Sequence, residues 1–198
     1  MHDAAQARDV HIADSLAGLE MPEIRRARRI ADLGSGAGLP GLVLAIAVPE
    51  AGVVLVESVG KKCAWLEATI ARLGLDNVSV ACARAEELDA APFDVVTARA
   101  LAALPVLCEY AAPLLREGGA LVAWKGSVDD AEEADGLAAA AILGLEREDV
   151  RHVEPYPGSE RRTLHVFRKV APTPAGYPRR PGMAAKRPLT ARSGRAER

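Results

Sequence analysis

Residues 32–41 read DLGSGAGLPG, and no other stretch restricts the fold of this chain so tightly. Gly34, Gly36, Gly38 and Gly41 crowd a bend that directly follows the strand-like run 29–33 and precedes an apolar stretch over 39–48. A second strand-like run, GVVLVE at 52–57, closes the unit. Strand, glycine bend, helix and strand in that order call for parallel strands with the helix crossing over one face. Glycine lets the main chain turn sharply and lets a ligand approach without meeting a Cβ, while the following helix offers free N–H groups.

The alternation continues downstream. The pattern predicts a helix over 61–73 closed by Gly74, a strand over 78–82, and a strand over 93–98. It then predicts a helix over 104–115, a turn at Glu117, Gly118 and Gly119, a strand over 120–124 and an alanine-rich helix over 130–143. The last two strands, 150–153 and 163–168, are joined around 155–158 closely enough to be antiparallel. The expected fold is α/β and Rossmann-like, a mostly parallel seven-stranded sheet with an antiparallel C-terminal hairpin. A dehydrogenase half would continue instead with another helical crossover. With 198 residues there is room for one domain. The expected division is a short helical segment at 1–29, the main domain at 30–170 and a basic tail at 171–198. Pro172, Pro174, Pro178, Pro181 and Pro188 predict a flexible tail without regular structure.

Composition excludes several classes. Nearly half the residues are apolar and about a quarter charged, as in a globular protein. The longest apolar run, 42–48, lies far below the ~20 residues of a membrane span. The opening MHDAAQARDVHIADSL carries acids early and no apolar core, so no secretory signal is expected and the default compartment is the cytoplasm. Cys63, Cys82 and Cys108 lack CxxC spacing; the expectation is buried reduced thiols, with neither a disulfide framework nor a metal. The net charge of −2 hides an asymmetry: residues 177–198 hold seven Lys or Arg against Glu197, leaving 18 basic and 26 acidic side chains elsewhere. An acidic body thus carries a basic tail that either neutralises phosphates or is merely solvated.

Glu57 ends the second strand 19 residues after Gly38, where a carboxylate can accept hydrogen bonds from both hydroxyls of a ribose. Residues 36–41 also match the dinucleotide fingerprint GxGxxG, which alone is weak evidence. Three features favour a sulfonium cofactor, S-adenosylmethionine: Asp32 two places before Gly34, the closing hairpin, and a single short domain with little room for a hydride acceptor. Asp32 offers negative charge to a cationic ligand, or else a capping role. Glu86, in the loop after the third strand, either accepts from an adenine amine or, with Glu87, favours a helix N-terminus.

The residues after the fourth strand, Thr97, Ala98, Arg99 and Ala100, contain no Asn/Asp-Pro-Pro-aromatic turn for an exocyclic amine, and no cysteine follows a proline as carbon-5 methylation of a pyrimidine would require. A guanine N7 has a free lone pair and no proton to lose. Catalysis there needs positioning and no general base.

Taken together, DLGSGAGLPG at 32–41, ESVGKK at 57–62, RAEE at 84–87, TARA at 97–100 and WKG at 124–126 closely resemble the RsmG family, once called glucose-inhibited division protein B. His11, Asp14 and Ser15 look like its His-x-x-Asp-Ser segment, and the resemblance runs to about Leu189. It implies S-adenosylmethionine-dependent methylation of N7 of a guanosine in the 530 loop of 16S rRNA, with 16S rRNA or the 30S subunit as partner. It also implies cofactor contacts at Gly34, Leu39, Ala85, Glu86 and Arg99, to which Glu57 is added from the ribose argument. Asp32, Gly36 and Gly38 are secondary cofactor-loop candidates. Lys125, Arg179, Arg180, Lys186 and Arg187 are candidates for RNA contact, and Arg25, Arg26, Arg28 and Arg29 form a second basic cluster. Arg99 suits a cofactor carboxylate or an RNA phosphate. Family members usually begin with several further helices ahead of the segment matching His11: either the start is misassigned or this is a short form, and in a short form the lid over the cofactor and part of the RNA surface are expected to be missing. A monomer is expected. Competing readings are a small-molecule methyltransferase and a non-catalytic S-adenosylmethionine- or RNA-binding form.

Overall fold

A computed structural model describes residues 4–90 and 92–191. Seven strands form one sheet in the order β3-β2-β1-β4-β5-β7-β6. They are β1 Arg29–Leu33, β2 Gly52–Glu57, β3 Val78–Cys82, β4 Phe93–Arg99, β5 Leu115–Lys125, β6 Leu145–Val153 and β7 Arg162–Lys169. The first five run parallel, while β7 is antiparallel to both β5 and β6. The expected sheet is therefore the observed one.

Alternate residues of the strands face two different helical layers. Ile30, Val53, Leu55, Val95, Val122 and Leu164 pack with α2 (Pro22–Arg26), α3 (Gly41–Ala47) and Leu66 of α4 (Gly60–Leu73). Ala31, Leu33, Val56, Val96, Leu121 and Phe167 pack with α5 (Leu104–Ala111) and α6 (Asp130–Leu143). Cover on both faces explains why the central strands read as unbroken apolar runs. Helix α6 starts where Asp129 accepts the Glu132 N–H at 2.8 Å, with Asp130 and Glu133 in the first turn.

Some boundaries move for local reasons. The helix expected over 104–115 ends at Ala111; a short 3-10 turn, Ala112–Leu114, carries Pro113, which cannot continue the α-helical ladder. Strand β5 begins at Leu115 rather than 120, with a register irregularity opposite β4, and β6 begins at Leu145 rather than 150.

Two expectations are overturned. Cys63 and Cys82 are not reduced thiols but form a disulfide, because α4 lies against β3 and brings their Cα atoms to 5.8 Å, well within bridging range. Cys108 is free and buried, as expected. Residues 172–191 are also not devoid of structure, while the rest of the expected tail, 192–198, lies outside the described residues. Within 172–191 the chain packs back onto α5, forms α7 (Met183–Lys186), and buries Ala184 and Leu189. The physical reason is Glu109, a completely buried carboxylate on α5 that requires a cation and finds Arg179. Helix α1, Ala4–Leu16, leads in from the amino end.

Candidate functional site

The glycine bend lies at the carboxyl ends of β1, β2 and β4, where open α/β sheets bind ligands. Gly34 and Gly36 adopt positive φ of 65° and 56°, conformations that L side chains rarely take. The bend is held from behind. Val56 O accepts the N–H groups of Gly34 at 2.8 Å and Ser35 at 3.1 Å, and Ser35 Oγ donates to Asp32 O at 2.7 Å.

Glu57 faces this bend and is almost fully buried. Its Oε2 accepts the Gly36 N–H at 3.1 Å and its Oε1 the Val59 N–H at 2.9 Å, while Lys62 Nζ stands 3.7 Å from Oε2. Each carboxylate oxygen has further acceptor capacity, so the fixed side chain can still take two hydroxyl donors. A cavity of about 350 Å³ opens beside it, within the range of small-molecule sites. Gly34, Glu57, Val59, Lys62, Arg84 and Glu86 line it, joined by Ala85, Ala100, Leu101 and Tyr110.

Glu86 is tied down on its outer side. Its Oε1 accepts the Gly182 N–H of the returning tail at 2.8 Å. Burial, reinforced by the nearby carboxylates Glu86 and Glu109, raises the Tyr110 hydroxyl above its ordinary pKa, so Tyr110 remains a neutral donor beside Glu86.

Asp32 is completely buried behind the bend rather than in the cavity. Its Oδ1 accepts from Thr97 Oγ1 at 2.9 Å and its Oδ2 from the Gly41 N–H at 3.2 Å. It thereby ties β1 to β4 and to the first turn of α3, which is the capping alternative. Burial pushes its pKa up to about 6, with the Thr97 and Gly41 hydrogen bonds opposing the rise. Gly38 and Gly41 are packing positions: a Cβ at Gly38 would lie 2.3 Å from Leu42, and one at Gly41 2.3 Å from Leu55 and 2.8 Å from Asp32 Oδ2. Leu39 is partly buried and is not among the cavity's lining residues.

Arg99 borders a second, smaller cavity of about 140 Å³. Asp14, Trp124, Lys125, Arg162 and Ala100 also line it, and Ala100 is common to both cavities. Arg99 Nη1 donates to Asp14 Oδ2 at 2.8 Å and to His11 O at 3.2 Å, and Trp124 Nε1 donates to Asp14 O at 2.8 Å. The segment around His11 and Asp14 is thus clamped onto the carboxyl ends of β4 and β5. Lys125 Nζ pairs with Glu132 at 2.6 Å.

The other basic candidates separate. Arg179 Nε donates to Glu109 at 2.9 Å, whereas Arg180, Lys186 and Arg187 are exposed. Arg29 opens β1, at the end of the strand opposite the cavities, with its guanidinium 5.1 Å from the Phe93 ring; Arg28 pairs with Glu50. Sequence reasoning missed Tyr110 and Arg162, which arrive from α5 and the start of β7 without any local motif. Among the described residues there is no cluster of His, Cys, Asp or Glu suited to a metal, and no helix long and apolar enough to cross a membrane.

A seven-stranded sheet with this strand order and a ligand cavity at the glycine bend defines the class I methyltransferase fold. Solved structures agree at the level of fold. The mitomycin 7-O-methyltransferase MmcR superposes with a TM-score of 0.67 at 14% identity, covering 84% of this chain and 56% of that one. A mutant of MtNAS in complex with S-adenosylmethionine gives 0.63 at 20% identity, over 85% and 64%. Sequence comparison is more specific: the family model described as rRNA small subunit methyltransferase G matches residues 2–162. The ribosomal RNA small subunit methyltransferase G of Rubrobacter xylanophilus is 48% identical over 187 residues, 90% of this chain and 72% of the relative. Its counterpart from Roseiflexus castenholzii is 52% identical over 166 residues, 81% and 70%. The chain belongs to the rRNA small subunit methyltransferase G family.

Proposed function

We propose that the protein transfers a methyl group from S-adenosylmethionine to N7 of a guanosine in the 530 loop of 16S rRNA, with the 30S subunit or its rRNA as partner. The observation that carries this reading is the junction at Ala100, where a cavity with a fixed ribose-type carboxylate meets a cavity bordered by Arg99, Lys125 and Arg162.

In this reading Glu57 takes the ribose hydroxyls, Glu86 and Ala85 take the adenine, and the Gly34 bend lets the methionine chain pass close to the main chain. Arg99 then stands near the cofactor's carboxylate end. Bound S-adenosylmethionine supplies an electrophilic methyl group on a cationic sulfur, which leaves as a neutral thioether. The N7 lone pair forms the new bond to carbon, and the purine takes up the positive charge. Ala100, which the two cavities share, and its neighbours Leu101 of the first and Ala102 of the second carry no side chain that accepts a proton, which suits a nucleophile that loses none. The protein's part is to align N7 with the methyl–sulfur bond. Arg162 and Lys125, with the exposed Arg180, Lys186 and Arg187, supply positive charge for the RNA backbone.

The test is to incubate the purified protein with S-adenosylmethionine and 30S subunits lacking the modification, then map N7-methylguanosine by chemical cleavage of the 16S rRNA. One new site in the 530 loop is expected. Methyl groups on another atom, or none, overturn the reading. In calorimetry, Glu57→Gln is expected to weaken cofactor binding about 10-fold or more, since a charged acceptor of two hydroxyls is replaced. Uptake of a nicotinamide cofactor in place of S-adenosylmethionine would remove its foundation.

A further inference from the structure

We infer that Asp14 reads the target guanine, its carboxylate accepting the base's N1–H and N2–H donors in the cavity next to Ala100. This deepens the guanine-N7 reading and rests on it.

The side chain is only 6% exposed and borders the second cavity. Its two oxygens are not equivalent. Oδ2 is engaged by Arg99 at 2.8 Å, whereas Oδ1 is buried without a hydrogen-bond partner among the described residues. A buried acceptor left unpaired is costly unless something completes it. Arg162 Nε lies 3.8 Å from Oδ1, too far for a hydrogen bond; that side chain is 42% exposed and donates instead to the Tyr156 hydroxyl at 3.1 Å. Arg162 is therefore a loose cover that can turn outward toward a phosphate and leave Oδ1 facing the cavity. The carboxylate itself cannot swing away, because Trp124 Nε1 holds its main chain and Arg99 its other oxygen.

A carboxylate in this place distinguishes bases by chemistry. Enzymes that modify a base commonly read its Watson–Crick edge after taking it out of the stack. Guanine presents two adjacent donors there, N1–H and N2–H, matching a carboxylate; adenine presents an acceptor at N1 and is repelled. N7 lies on the opposite edge of the purine, so a base anchored through N1 and N2 at Asp14 directs N7 away from that wall. The cofactor cavity opens on the Ala100 side. Methylation places positive charge on the ring and strengthens the N1–H donor. The fixed carboxylate then binds the transition state more tightly than the ground state. No proton moves to Asp14, which acts through hydrogen bonding and charge.

The test compares 30S subunits reconstituted with 16S rRNA carrying either guanosine or inosine at the target position, inosine lacking only the 2-amino group. The wild-type protein is expected to lose about 10- to 100-fold in kcat/KM on inosine, the scale of a missing hydrogen bond to a charged group. Asp14→Asn is expected to be slow on both and to show a guanosine-to-inosine ratio within about 3-fold of unity. Each ratio is measured within one protein preparation, so an unfolded fraction cannot change it. If Asp14→Asn keeps the wild-type ratio, or if the wild type treats both substrates alike, the inference is overturned. The methyl position is determined in the same samples. Methyl groups away from N7 in the wild type would overturn the functional reading itself, a failure distinct from loss of the Asp14 role.

Discussion

At the glycine bend, the contacts that aim Glu57 join residues no more than 21 positions apart. Glu57 is oriented by the N–H groups of Gly36 and Val59, and Val56 O holds Gly34 and Ser35, so each of these donors is a main-chain N–H on the turns that follow β1 and β2. On the Arg99 side, the contacts join residues far apart in sequence. Arg99 meets Asp14 across 85 positions and Trp124 meets Asp14 across 110. In the first half main-chain donors aim the carboxylate of Glu57; the second is a network of ion pairs. Backbone devices are set by local sequence and tolerate side-chain change, whereas an ion network fails when any partner is removed.

Removing Arg99 should cost the most stability. Arg99→Ala leaves Asp14 buried without its ion partner, and a loss of about 4 kcal/mol is expected by urea unfolding. The Arg99 side would then be shown to depend on its ion pair. A loss below about 1 kcal/mol would show that the N-terminal segment is held by Trp124 and packing instead, and the contrast between the halves would vanish.

Asp32 is the completely buried carboxylate behind the glycine bend, and it tests how far that half depends on charge. Its pKa, raised to about 6 chiefly by burial, exceeds the unfolded value near 4. The sign follows: its contribution to stability is fully present below about pH 4 and is lost as pH rises through about 6. Asp32→Asn should abolish this slope. The difference in unfolding free energy between wild type and variant is expected to change by about 3 kcal/mol between about pH 4 and pH 7. A pH-independent difference would mean that Asp32 is ionised throughout, held by Thr97 and the Gly41 N–H.

The returning tail belongs to the second kind of construction. Arg179→Ala exposes the need of Glu109 for a cation, and because Arg179 is a quarter exposed the expected loss is about 2 kcal/mol, at the lower end for such pairs. Limited proteolysis should then cut within residues 171–191, and the Gly182 contact with Glu86 should be lost with it. Unchanged protease resistance would show that Ala184 and Leu189 hold the tail by apolar packing alone.

The same division decides what could be read from the sequence. The succession of strands and helices, the glycine bend and Glu57 follow from periodicity and spacing over fewer than about thirty residues, the reach of one βαβ unit. Asp14 stands in a recognisable segment, yet nothing local assigns it to Arg99, and Tyr110 and Arg162 carry no motif at all. The tail misleads for a related reason: its prolines argue against regular structure, but the force that orders it is the buried Glu109, some seventy residues earlier. The disulfide is likewise invisible to cysteine spacing, since Cys63 and Cys82 meet only once α4 has packed on β3.

The smallest effect expected is at Lys62, and it sharpens the contrast by being small. Its ammonium lies 3.7 Å from Glu57, but the side chain is 54% exposed, and such pairs contribute little. If Glu57 is set by Gly36 and Val59 as the distances indicate, Lys62→Ala should lower stability by less than about 0.5 kcal/mol. Cofactor affinity in calorimetry should change by no more than about 3-fold, against the far larger loss expected for Glu57→Gln. A Lys62→Ala variant as impaired as Glu57→Gln would mean that the ion pair, and not the main chain, aims the carboxylate. The glycine-bend half would then be built on the same principle as the Arg99 half.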